Sequence, residues 1–276
     1  MDTDAIMAVA LELARQREVP PDSGIDVPAR DVRRALFGID ADTGDLLMAK
    51  QLGYDLLINH HPTGGSSMVQ FPQILRKHGA ILERAGVPRE AAERAVQALL
   101  DEHEPAAHRQ NYDRLPSAAR LLGLPLMAIH NPCDEIGRRM LDEALRAGLR
   151  EGPRARDAIA VLNRLPEFRK AITKIVLRMG READPLGKWV VVHGAGTNGG
   201  YAVAKAAFDN GIDTVFYIHI DAGHLRRLWD EYGRDGPKNL VVTGHIASDS
   251  IGINAVVREL RKRGVAVDCF SGVLDV

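Results

Sequence analysis

Cysteine is almost absent from this 276-residue chain: Cys133 and Cys269 are the only two, and they form no CxxC pair. Two thiols cannot build a disulfide framework, and without a CxxC pair neither structural zinc nor dithiol redox work is indicated, so a reducing cytoplasm is the expected compartment. Long apolar runs are missing as well. No stretch approaches the ~20 residues that span a bilayer. The first nineteen residues carry Asp2, Asp4, Glu12 and Arg15 among their apolar positions, unlike a secretory leader. Net charge is lacking too: 36 basic residues against 37 acidic ones leave a formal −1 at pH 7, so no overall field recruits nucleic acid or an anionic membrane. No short tandem repeat and no low-complexity segment occurs.

What is present is an ordinary globular composition, 45% hydrophobic and 26% charged, long enough for one large α/β domain or two intertwined ones. Five short apolar runs each lead into a histidine: DLLIN into His60-His61, LPLMAI into His130, WVVV into His193, DTVFYI into His219 and NLVVTG into His245. Ligands of α/β folds bind outside the carboxyl ends of the strands, so these histidines mark one face.

Periodicity predicts helices over 2–18, 30–37 and 42–52, a buried strand over 54–59, and a flexible loop over 63–67. Residues 71–122 read as mainly helical, followed by a strand over 124–129 and a helix over 134–149. His78, His103 and His108 lie in charged helical surroundings and read as surface residues. Residues 150–184 are strongly basic and read as a solvated helical face, or alternatively as a contact for an anionic substrate or a second subunit. Strands over 188–192, 213–218, 238–243 and 265–270 then alternate with helices over 201–210, 222–232 and 249–263. Such alternation predicts a mostly parallel sheet with helices on its faces, and its recurrence in both halves hints at duplication.

His60-His61-Pro62 stands where a buried strand gives way to a loop. Adjacent side chains on a strand point to opposite faces, so the pair can serve one site only if the chain is already turning; otherwise it reaches two metals, or is one core and one exposed histidine. His130-Asn131-Pro132-Cys133-Asp134 places a carboxylate after a second strand, with Cys133 read as a small buried residue. His245 and Asp249 share an i, i+4 spacing that lets both side chains converge, although Asp249 also suits the first turn of a helix. Gly194-Ala-Gly196-Thr197-Asn198-Gly199 matches GxGxxG between a strand and a helix, with Asp221 ending the next strand. That context fits a tight turn, a phosphate contact at a helix N-terminus, or a dinucleotide fingerprint of an NAD(P)-dependent oxidoreductase.

Together these segments resemble the NIF-three-like dinuclear metal-centre family, some of whose members are described as type I GTP cyclohydrolases. The family's strand-to-HHP motif is similar to residues 55–62, its HTNLD motif to 130–134, its GHxxxE motif to 244–249, and its GSGG turn to Gly196-Thr197-Asn198-Gly199-Gly200. The resemblance implies an α/β fold of two similar interleaved lobes with mostly parallel or mixed sheets flanked by helices. It divides the chain into a first lobe over 1–134 with an N-terminal helix and helical insert, a basic helical connector over 135–187, and a second lobe over 188–276 intertwined with the first. Carried over by position, it implies His60, His61, Asp134, His245 and Asp249 as ligands of two divalent ions, among Zn, Fe, Mn, Ni and Co. It further implies a hexameric ring and places His219, Asp221 and His224 beside the metals as acid/base candidates, while the glycine pattern itself makes Gly196, Thr197, Asn198 and Gly199 candidates for a phosphate or cofactor contact. A metal-assisted hydrolase of a nucleotide or phosphorylated small molecule is the expected activity, with a non-catalytic metal-binding scaffold as the alternative. Three departures are specific to this chain: aspartate stands at 249 where the family has glutamate, Pro132 stiffens the second motif, and Thr63-Gly64-Gly65-Ser66-Ser67 follows the HHP segment.

Overall fold

The computed structural model describes residues 1–276. The chain opens with α1 (Thr3–Ala14), whose N-cap Asp2 accepts a hydrogen bond from the Ala5 amide. β1 (Gly24–Val27), β2 (Arg34–Gly38), α2 (Thr43–Gln51), β3 (Leu56–Asn59) and α3 (Gly65–Ile74) follow. Next come α4 (Lys77–Arg84), α5 (Arg89–His108), α6 (Arg114–Leu122), β4 (Leu126–Ala128) and α7 (Asn131–Gly148). The remainder runs α8 (Ala155–Leu162), α9 (Pro166–Lys170), β5 (Val176–Met179), β6 (Trp189–Val192), α10 (Gly200–Asp209), β7 (Thr214–Tyr217), α11 (Ala222–Tyr232), β8 (Asn239–Val242), α12 (His245–Lys262) and β9 (Ala266–Phe270).

Two compact units result. Unit 1 gathers Met1–Ile74, His103–Ile136 and Asp249–Val276; unit 2 gathers Leu75–Glu102 and Gly137–Ser248. Unit 1 holds a five-stranded sheet in the order β1-β4-β3-β2-β9. β1 runs antiparallel to β4 and every other pair is parallel. Strands buried on both faces read as continuous apolar runs, which is why LLIN in β3 and ALFG in β2 are fully buried. Beside the sheet, Leu36, Leu46, Leu57, Leu115, Leu124 and Leu126 pack into one apolar cluster with Tyr54 at its margin.

Unit 2 holds a four-stranded sheet in the order β5-β8-β7-β6, with β5 antiparallel to β8 and the other pairs parallel. The two sheets share one topology. In each, the first strand of the set lies antiparallel beside the fourth, and the third and second follow in parallel; β9 is the addition that extends the first sheet alone. This repeated order is the structural form of the recurrence visible in the sequence.

Three local expectations are overturned. Residues 34–37, expected in a helix, lie in β2, because a place between β3 and β9 buries Ala35, Leu36 and Phe37 more completely than a helix face would. Gly65, Ser66 and Ser67, expected in a loop, open α3. Within the basic stretch, the short apolar run at residues 176–179 forms β5, an edge strand paired with β8 and only partly buried.

Candidate metal centre

The carboxyl edge of the sheet in unit 1 carries the site. The β2–β3 ladder continues past the strands: the His60 amide donates to the Gly38 carbonyl at 2.8 Å and the His61 amide to the Ile39 carbonyl at 3.0 Å. Asn59 then turns the chain, its side-chain amide donating to the His61 carbonyl at 2.6 Å and to Thr63 Oγ1 at 2.7 Å. The turn brings two adjacent histidines to one place, their ring centroids 5.0 Å apart. Each ring is also fixed from behind: His60 Nδ1 donates to the Ile129 carbonyl at 3.1 Å, and His61 Nδ1 lies 2.8 Å from Asp40 Oδ1. A ring whose Nδ1–H is engaged presents the Nε2 lone pair, the arrangement in which imidazole binds metals.

His130 follows β4 and Asp134 sits in the first turn of α7, which opens at Asn131. His60 Nε2 lies 3.3 Å from Asp134 Oδ1 and 3.7 Å from Asp249 Oδ2. His61 Nε2 is 3.7 Å from the same Asp249 oxygen, and His130 Nε2 is 3.5 Å from Asp134 Oδ2. The helix bearing Asp249 comes this close because Gly252 has no side chain: a Cβ there would lie 1.9 Å from the Cys133 carbonyl oxygen.

These residues fit a metal ion. His60 is fully buried and its Nε2 has no hydrogen-bond partner, although it faces two carboxylates that are themselves almost fully buried. Buried carboxylates need a cation, and two donors about 2.1 Å from one ion at tetrahedral to octahedral angles stand about 3.0–3.4 Å apart, near the spacings seen here and beyond a good hydrogen bond. Donor atoms of His60, His61 and His130 lie within 4.8 Å of one another, as do those of His60, Asp134 and Asp249. The field has the same sense. Burial opposes a charge on His130, yet Asp134 and Asp22 outweigh it and raise the imidazole to about 9. Burial pushes His61 below its ordinary value, against the pull of Asp40. The Cys133 thiol, fully buried, is pushed well above its ordinary value, first by burial and then by Asp134 and Asp249.

Of the residues singled out in the sequence, unit 1 therefore brings His60, His61, Asp134 and Asp249 together. The others lie in unit 2. His245 opens α12, one turn before Asp249, and its ring centroid stands 4.8 Å from that of His219. Asn198 accepts the Gly200 amide on Oδ1 at 2.7 Å, so its Nδ2 faces His219 Nδ1 at 2.8 Å and places the proton of a neutral His219 on Nε2. Thr197 accepts the Gly199 amide on Oγ1 at 3.1 Å. Asp221 is the exposed N-cap of α11, and His224 packs where a Cβ on Gly200 would stand, 2.2 Å from its Nδ1. The glycine turn follows β6, the edge strand of its sheet, so it lacks the reversal of strand order at which doubly wound sheets bind dinucleotides. His193 is buried with its ring against Gly137.

One histidine differs from expectation. His78 is buried, on the face of α4 that also buries Ile81 and Leu82, and its Nε2 meets Thr197 Oγ1 at 3.1 Å. Asp22 and Asp40 are the partners that the motifs did not reveal. Asp40 follows β2 by two residues and so obeys the same strand-end rule as the histidines, whereas Asp22 precedes its sheet and gives no local signal.

A repeated, mainly parallel sheet with imidazoles and carboxylates at a strand edge defines an α/β protein with a candidate metal centre. Comparison with solved structures makes this more specific. The chain is similar to a NIF3 superfamily protein from Sphaerobacter thermophilus, 46% identical over 99% of this chain and 98% of that one, with a TM-score of 0.95. The chain belongs to the NIF3 superfamily. Its fold is shared at lower identity by reduced HcgD from Methanocaldococcus jannaschii (12%, TM-score 0.57, 98% and 97% of the two chains) and by a Bacillus cereus protein related to NIF3 (10%, TM-score 0.56, 98% and 96%). No protein-family model and no curated protein matches the chain. No helix is long and apolar enough to cross a membrane.

Proposed function

We propose that this protein is a dinuclear metal-dependent hydrolase of a nucleotide or another phosphate-containing small molecule, acting in the cytoplasm as a homo-oligomer, a hexamer by family resemblance. The observation that carries the reading is the buried His60 Nε2, without a hydrogen-bond partner and facing Asp134 and Asp249. His60, His61, Asp134, His245 and Asp249 would hold two divalent ions, with His245 included because it precedes Asp249 by one helical turn on α12. Ions bound there would supply Lewis acidity toward a phosphoryl or purine carbon centre and an attacking water acidic enough to ionise near neutral pH.

The remaining roles belong to side chains of unit 2. His219, its Nδ1 accepting from Asn198, presents an Nε2–H that would hydrogen-bond a leaving-group oxygen, with His224 and Asp221 as the groups to carry the proton. Gly196, Thr197, Asn198 and Gly199 form the turn that a substrate phosphate would meet; Thr197 and Asn198 would then release the amides of Gly199 and Gly200 that they now occupy.

Elemental analysis after metal loading tests the first claim, and fewer than one ion per chain removes it. Turnover of a panel of nucleotides and phosphodiesters by the loaded protein, compared with a His245→Ala variant, tests the second. Equal rates in both proteins exclude metal catalysis and leave a binding scaffold.

A further inference from the structure

The geometry points to His130 as a third imidazole donor to the ion in unit 1, presented by a buried carboxylate, Asp22, that lies outside the five-ligand set. The inference rests on the metal reading above and adds a ligand and a positioning residue to it.

All three histidines at this strand edge are held from behind. His60 Nδ1 is engaged by the Ile129 carbonyl and His61 Nδ1 by Asp40, whereas His130 Nδ1 forms an ion-pair contact with Asp22 Oδ2 at 2.9 Å whose angles are not those of a hydrogen bond. Each Nε2 is thereby turned into the cluster, and the three donor atoms lie within 4.8 Å of one another. His130 is as well fixed as the other two: its backbone amide donates to Ser23 Oγ at 3.0 Å, its ring stacks on Phe71 at 6.0 Å, and it meets His60 and His61 edge-on at 4.8 and 5.3 Å.

Asp22 itself is 0% exposed, a costly place for a carboxylate unless it orients something. Metal-binding histidines characteristically give their second ring N–H to such a carboxylate, which fixes the tautomer and makes the free nitrogen a better donor. His130 Nε2 is 3.5 Å from Asp134 Oδ2, too long for a strong hydrogen bond and close to the separation of two donors that share an ion. The rival role is an imidazolium that only hydrogen-bonds Asp134, with protons on both nitrogens. That role predicts no bond from Nε2 to metal.

Protein labelled with 15N at histidine and loaded with 113Cd distinguishes the two roles without any substitution. Long-range 1H–15N spectra should show three imidazoles protonated at Nδ1 alone, with cadmium coupling at the Nε2 of His60, His61 and His130. A His130 ring protonated at both nitrogens, or one without cadmium coupling while His60 is coupled, overturns the assignment. Asp22→Asn should keep the imidazole bound but weaken Zn binding about 10–100-fold, as loss of an orienting partner does; unchanged affinity removes Asp22 from the argument. Wild-type protein that takes up no ion overturns the metal reading itself, and His130 with it. An ion held by His60 and not by His130 overturns the further assignment alone.

Discussion

His60 Nε2 and Asp134 Oδ1 stand 3.3 Å apart with side-chain exposures of 0% and 5%, one at the end of a strand and the other in the first turn of a helix. Water compensates a carboxylate poorly at such a place, so neighbouring polar groups, a proton or a bound cation must offset its burial. A cation taken up there would therefore stabilise unit 1.

Adding Zn or Mn at about 100 times the dissociation constant should stabilise the folded protein by about 2.7 kcal/mol, by mass action alone. Urea unfolding with and without a chelator reads this increment. It should vanish in Asp134→Asn, and an increment of equal size in both proteins would show that the ion binds elsewhere.

Asp40 holds His61 Nδ1 at 2.8 Å and is otherwise exposed, with 71% of its side chain open. Asp40→Asn should therefore leave stability within about 0.5 kcal/mol of wild type, since surface substitutions cost little. Metal affinity should fall about 10–100-fold through loss of ring orientation. Calorimetric titration beside denaturant unfolding separates the two quantities, and unchanged affinity would remove Asp40 from the site.

Gly252 lets α12 approach the Cys133 carbonyl, where a Cβ would stand at 1.9 Å. Gly252→Ala should cost about 1–3 kcal/mol by overpacking and should weaken metal binding, because the shift needed to relieve the clash moves Asp249 away from His60. Wild-type metal affinity in a destabilised variant would show that the crossing sets stability alone.

Asp26, in β1, has its carboxyl lifted to about 6, first by burial, with Arg120 opposing and Asp113 adding. A raised carboxyl binds its proton more tightly in the folded state than in the unfolded one. Its contribution is thus fully present below its ordinary value of 3.8 and is lost as pH climbs through 6. Subtracting the pH–stability curve of Asp26→Asn from that of wild type should leave a descending step between about pH 4 and 6. A flat difference would mean that Asp26 ionises normally.

Much of this was legible in short segments. Strand-end histidines, the spacing of His245 and Asp249, and the alternation after residue 188 are local patterns, and local patterns survive in a sequence. β2 was not legible, because RRALF carries residues at home in a helix and becomes a strand only when β3 and β9 flank it. β5 was hidden because its four residues are a short run interrupted by Arg178 within a basic stretch, too brief to stand out before its pairing with β8 is known. Asp22 is the extreme case. It lies 108 positions before His130 along the chain, and only the pairing of β1 with β4 brings the two residues together.

The addition of β9 to the first sheet also sets an order of events in synthesis. Every residue of unit 2 precedes Asp249 in the chain, so that unit can emerge from the ribosome whole while unit 1 still lacks both its fifth strand and one of its buried carboxylates. His60, His61 and Asp134 must wait through the translation of an entire neighbouring unit before the pocket closes. On the metal reading, a nascent chain would offer an ion only an incomplete site, and the choice of ion would be deferred until folding of the last segment fixes the geometry that selects it.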